Sequence, residues 1–320
     1  MFLNISAFHC AEFEIRSDSA STSGHCKTLL SHFTGKSMIS ATNTPQAFST
    51  SSTNRAKQFL QLSVSAWVAI ALVGQWFFAS YVFVIYVFPI VTGNLELVNL
   101  SKPIIGYVKG DTFGNAALFS HVIPAALLSV GGIIQLLPIV RRKYPAVHRW
   151  NGRMFLTLGL LGAISGLYLT WVRGARLSDV GSLGITLNGI LIVVAVVFAW
   201  RYAKAKQFDK HMRWAIHAFI LVNGVWFFRL YLMAWYVGNQ GANGNTANID
   251  GPMDIFLSFA CYGIPMLIAE CVFWAKRQKQ VSKTWAVTVL TSMGALVTLM
   301  GVLAAIFMMW IPRITQAFQL

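Results

Sequence analysis

Six ionisable residues stand inside or at the ends of long apolar runs: His121, His148, His211, His217, Arg229 and Glu270. A charge in a bilayer is costly, so such groups face partners, line cavities or carry function. Two histidines at equal depth on different helices can hold a haem iron between them. His148 opens one apolar run, in His148-Arg149-Trp150-Asn151-Gly152-Arg153. His211 opens another, in Asp209-Lys210-His211-Met212-Arg213-Trp214. Both runs start from the same membrane face in the topology given below. The leading expectation is therefore one b-type haem, with His148 as one axial ligand and His211 or His217 as the other. Arg149, Arg153 and Arg213 would meet its propionates through charge-assisted hydrogen bonds. A quinone or another redox partner would exchange electrons with it. The far face offers His121 and no second histidine, so a two-haem arrangement has no support. The plainer alternative is that these histidines only anchor helix ends, where polar groups cost little.

The remaining polar groups suggest a different chemistry. His211 and Arg229 are 18 residues apart, five helical turns, and would share a face of a straight helix. His217 and Asn223 then lie about 120° to either side, so His211 and His217 do not converge on one ligand without a distortion. Gln135 follows His121 by 14 residues and falls within about 40° of its face. His121, Gln135 and Arg229 would form a polar pocket, with the guanidinium binding an anionic group. That is the site of a small-solute transporter or sensor. Arg229 is expected to pair with Asp254, and Glu270 with His211, Arg213 or His217. A third reading is membrane assembly without turnover. The sequence names no catalytic group and leaves metal binding open.

The elements that position these residues follow from composition. The chain has 320 residues, of which 56% are hydrophobic and 11% charged. A soluble domain carries roughly 25% charged residues, so an ordinary soluble fold is excluded. A membrane helix needs about 20 apolar residues. Seven such spans are expected, at 64–91, 117–140, 150–172, 182–201, 211–236, 254–275 and 284–311. The fold class is an all-α, multi-pass transmembrane bundle, with a bilayer as its obligate partner.

The formal net charge of +15 resembles that of a nucleic-acid binder, but its distribution gives another cause. With the N-terminus in the cytoplasm, 19 of the 25 Lys and Arg residues lie in inner loops or the tail, and five lie outside. That bias predicts an N-in, C-out protein of a bacterial inner membrane, with no nucleic-acid partner. Trp150, Trp171, Trp200, Trp214, Trp235, Trp274, Trp285 and Trp310 fall near span ends, the depth indole prefers. Gly159 with Ala163, and Gly162 with Gly166, have the spacing that lets helices approach closely.

Residues 1–58 differ from the bundle at 59–320. They are rich in Ser and Thr and have no sustained apolar run, so a disordered extension is expected. Met38 is an alternative start to Met1. Glu12, Glu14 and Asp18 argue against a transit peptide. Cys261 and Cys271 are ten residues apart, about 15 Å along a helix, and cannot pair there. The Gly/Asn-rich stretch Gly238–Gly251 reads as a flexible loop. No nucleotide-binding fingerprint, Walker loop, HExxH or nucleophile elbow occurs.

The stretch from about His121 to Leu230 resembles a family of predicted membrane proteins, domain of unknown function 2306. The likeness lies in His121 at a span start and in the run Arg142-Lys143-Tyr144-Pro145-Ala146-Val147-His148-Arg149-Trp150-Asn151-Gly152-Arg153. It continues in Asp209-Lys210-His211-Met212-Arg213-Trp214 and in Arg229-Leu230. These define a family-like core at about 117–232. The family often has an arginine six residues after the second motif's histidine, where this chain has His217. The resemblance implies a membrane bundle and carries no activity with it.

Overall fold

The computed structural model describes residues 46–101 and 106–319. Among these residues every regular element is helical. Helix α1 (Gln46–Val82) widens into a π turn at Phe83–Val87 and ends in α2 (Phe88–Thr92). A 3-10 turn follows at Leu95–Ser101. Next come α3 (Thr112–Leu136), the short α4 (Pro138–Lys143), α5 (Pro145–Trp171) and α6 (Asp179–Lys204). Helices α7 (Phe208–Val222) and α8 (Gly224–Gly238) adjoin one another. The chain ends with α9 (Pro252–Arg277), α10 (Val281–Ala305), a π turn at Ile306–Trp310 and α11 (Ile311–Ala317).

Six helices or helix runs are long and apolar enough to cross a bilayer. The pair α7–α8 makes a seventh crossing if counted as one span, and it bends by 59° at its break. The multi-pass helical class is therefore as expected, while the fifth expected span is not straight. Helix α1 begins at Gln46, and Ala56 and Leu60, one turn apart, are both buried. Residues 1–45, with Met38, Cys10 and Cys26, lie outside the described residues.

Helix starts are fixed locally. Asp111 Oδ1 accepts from Gly114 N at 2.8 Å and caps α3. Ser178 Oγ accepts from Gly181 N at 3.0 Å and caps α6. Each cap satisfies an amide that the first turn leaves without a partner. Pro145 and Pro252 open α5 and α9, where the missing N–H costs nothing. Between helices, small residues decide the approach. Ala195, Ala199 and Ala218 are fully buried or nearly so. Gly184 lies against Ser258, and Gly301 against the Leu230 backbone, so closely that neither has room for a Cβ. Of the stripe expected on α5, Gly159 abuts Val222 and Gly166 abuts the His121 ring, while Gly162 has open space beside it. Large apolar side chains such as Leu62, Trp76 and Leu267 are mostly exposed, as a lipid-facing surface requires.

The Gly238–Gly251 stretch is more ordered than its composition suggests. Asn245 Nδ2 donates to Asp254 Oδ1 at 2.5 Å, and the amides of Thr246 and Gly251 donate to Oδ2 at 2.9 and 3.2 Å. Trp235 Nε1 donates to the Asn243 carbonyl at 2.8 Å. Asp254 is fully buried beneath this loop. The expected Arg229–Asp254 pair is therefore absent: the loop's own donors satisfy the carboxylate.

Candidate functional site

The bent span carries the ionisable residues, and the bend decides where they go. His211, Arg213 and His217 lie on α7, and Arg229 lies on α8. Helical phase cannot be carried across a 59° break, so the shared face expected for His211 and Arg229 does not exist.

On α7, Arg213 and His217 are one turn apart and both reach Glu270 on α9. Arg213 Nε donates to Glu270 Oε1 at 2.7 Å, and Arg213 Nη2 donates to Oε2, a bidentate clamp. His217 Nε2 donates to the same Oε1 at 2.6 Å. A carboxylate can only accept here, so Nε2 carries a proton. The second ring nitrogen, Nδ1, is buried and has no partner among the described residues. His217 is 93% buried by its 7% exposure, with Trp214 at its ring edge, 6.1 Å between centroids. Glu270 thus found two of the three partners expected for it.

Arg213 and Glu270 also line an open cavity of about 380 Å³, together with Cys271, Phe273, Trp274, Arg277 and Gln278. Two guanidinium groups face one carboxylate in its wall, so the cavity favours an anion. Apart from Arg213 on α7, its lining comes from the end of α9 and the residue that follows it. The sequence reading missed Arg277 and Trp274, treating them as an inner-loop charge and an interface marker.

The histidines at the helix starts sit differently. His211 Nδ1 donates to the Ala199 carbonyl at 2.9 Å, which leaves Nε2 with a free lone pair. His148 Nδ1 is buried without a partner among the described residues. Arg149 and Arg153 are exposed, and Arg153 lies over the Trp150 ring at 5.1 Å. Of the residues expected around a haem, Arg213 and His217 are held by Glu270 instead. Among the described residues no group of three or more His, Cys, Asp or Glu side chains is placed to hold a metal ion.

His121, Gln135 and Arg229 do not form one pocket. Gln135 Nε2 donates to the His148 carbonyl at 2.8 Å, beside Gly152. It lies in the last turn of α3, about 21 Å along the helix from His121. His121 Nδ1 donates to the Gly162 carbonyl at 2.9 Å, with Ser165 Oγ at 3.4 Å. Arg229 donates to the Val225 carbonyl at 3.1 Å and lies over the Phe78 ring at 5.8 Å. No carboxylate pairs with it among the described residues.

A further polar cluster sits at the break between α7 and α8. Asn223 Nδ2 donates to the Phe219 carbonyl at 2.8 Å, and Gln75 Nε2 donates to Asn223 Oδ1 at 2.6 Å. Asn188 Nδ2 donates to the Leu221 carbonyl at 3.1 Å. Gly224 makes room for it, since a Cβ there would stand 2.6 Å from Asn188 Nδ2. All three amides are nine-tenths buried or more. The weighing of ionisable groups passed over Gln75 and Asn188, although polar residues within apolar runs were the available signal.

Residues 118–273 match the model of a family described as predicted membrane proteins, domain of unknown function 2306. The likeness read from the two histidine-containing runs is thereby shown, and the match extends through α9 to take in Glu270. No curated protein and no solved structure matches the chain. The chain is a multi-pass membrane protein of helical architecture.

Proposed function

We propose that this protein binds a small anionic solute in the cavity beside Arg213 and Glu270 and carries it across the membrane through motion of the bent span. The observation that carries this reading is the buried His217, bonded to a carboxylate that is also clamped by an arginine in the cavity wall. Such a group can trade partners: an anion arriving at Arg213 competes with Glu270, and Glu270 then holds its hydrogen on His217 alone. The 59° break between α7, which carries Arg213, and α8 supplies the joint for that motion. Arg277, in the same cavity wall, would offer the anion a second guanidinium.

The test is thermal unfolding of the detergent-purified protein, titrated with inorganic phosphate, lactate and succinate. Stabilisation should saturate with one of these anions. Glu270→Gln removes the competitor and should lower the half-saturating concentration about tenfold, which is 1.4 kcal/mol. Arg213→Gln should raise it by a similar factor. A melting temperature indifferent to all three anions, or variants that do not shift affinity in opposite directions, would overturn the reading.

A second reading has its own observation. His211 presents Nε2 as a lone pair because its Nδ1 is held by the Ala199 carbonyl, the usual outer-shell arrangement of a ligating histidine. One b-type haem between His148 and His211 would pass electrons to a quinone or another redox partner at that membrane face. Expression with added haem precursor, followed by a visible spectrum, decides it. A Soret band lost in His211→Ala supports it, and a protein without a Soret band removes it.

A further inference from the structure

We infer that the break between α7 and α8 is a binding site for a monovalent cation, held by neutral amide oxygens. This stands apart from the solute-binding reading, because it uses none of Arg213, His217 or Glu270.

The hydrogen bonds fix which way each amide points. A carbonyl can only accept, so Asn223 must turn Nδ2 to Phe219 and Asn188 must turn Nδ2 to Leu221. Asn223 Oδ1 is then the acceptor, and Gln75 must meet it with Nε2. The chain of donors leaves two oxygens, Gln75 Oε1 and Asn188 Oδ1. Both are buried and have no partner among the described residues. Gln75 is 2% exposed and Asn188 5%, so solvent does not reach them.

The two amides straddle the same two residues. Gln75 is bonded to Asn223, and Asn188 lies on Gly224. Each unpaired oxygen in an apolar interior costs on the order of 1–3 kcal/mol, and a bundle core offers no bulk water to offset it. The chemistry that answers two acceptor oxygens is a cation or a donor. Breaks in membrane helices are recurrent places for coupling ions, held there by carbonyl and side-chain oxygens. No carboxylate belongs to the cluster, so the ligand set suits one charge better than two. Trp226 Nε1 is also buried without a partner, but it is a donor and stays outside the ligand set.

Melting temperatures in sodium, potassium, lithium and choline chloride at equal ionic strength test this. One of the three metal ions should stabilise the purified protein saturably over choline. The rise should be about 2–4 °C at ten times its half-saturating concentration. Gln75→Met and Asn188→Leu should abolish the rise, and Lys109→Gln, at an exposed position outside both sites, should keep it. Equal melting in all four salts would overturn the inference and leave buried water to answer these oxygens. If either variant fails to fold, the wild-type salt series still decides between these outcomes. An unchanged sodium or potassium response in both folded variants would also overturn it. A protein that binds anions but is blind to cations fails here without touching the solute reading, and the reverse also holds.

Discussion

At the scale of single residues, Glu270 holds the site together. It accepts from Arg213 and from His217 on one turn of α7, so its removal strands a buried imidazole and an arginine together. Glu270→Ala is expected to cost about 1–3 kcal/mol, or several degrees of melting temperature. Arg213→Ala should cost less, because its side chain is half exposed and exposed pairs contribute little. The order of the two melting temperatures, measured in detergent, checks this; a larger loss for Arg213→Ala would contradict it. The pairing itself was legible in the sequence, since Glu270 stood at the depth of three candidate partners. The fate of Arg229 was not. Asp254 stood at a suitable depth too, but its oxygens are taken by the amides of Thr246 and Gly251 and by Asn245. A Gly/Asn-rich stretch gives no sequence sign that it will fold over one carboxylate.

At the scale of elements, close approach of helices is set by glycines other than the conspicuous ones. The four-residue spacing on α5 is real, yet Gly162 has open space where a Cβ would go, while Gly301 meets the Leu230 backbone. Gly301→Ala must push α8 and α10 apart, and overpacking of this kind costs about 1–3 kcal/mol. Gly162→Ala should leave the melting temperature nearly unchanged. Equal effects of the two substitutions would show that the α8–α10 contact is not the tight one. The bent span shows the limit of periodicity. The pattern of residues 211–236 reads as one helix, because Asn223 and Gly224 are a weak break by propensity alone. What stabilises the break is tertiary: Gln75 from α1 and Asn188 from α6 supply hydrogen bonds that a single segment's sequence cannot announce. Asn223→Leu removes the acceptor for Gln75 and should lower stability by on the order of 1–2 kcal/mol, readable as earlier amide exchange in α7 and α8 than in α10.

At the scale of the whole molecule, the charge distribution and the helix count bear on each other. Counting the bent pair as one span, the crossings number seven, and an odd number puts the two ends of the bundle on opposite sides. The inner excess of Lys and Arg predicts that the α6–α7 and α9–α10 connections face the cytoplasm. A cysteine placed at Gln207 should then resist a membrane-impermeant maleimide in intact cells, and one at Asn243 should react. The opposite labelling would invert the topology and place the anion-favouring cavity outside. The membrane class was legible because 11% charge over 320 residues leaves no other solution. The cavity was not, because it needs α7 and α9 side by side. The most direct measurement is uptake of labelled phosphate, lactate and succinate by proteoliposomes containing the purified protein. Transport through the bent span predicts saturable accumulation of at least one anion above protein-free vesicles, reduced about tenfold in Arg213→Gln and little changed in the remote Arg153→Gln. Folded, correctly inserted protein that accumulates none of the three would contradict it.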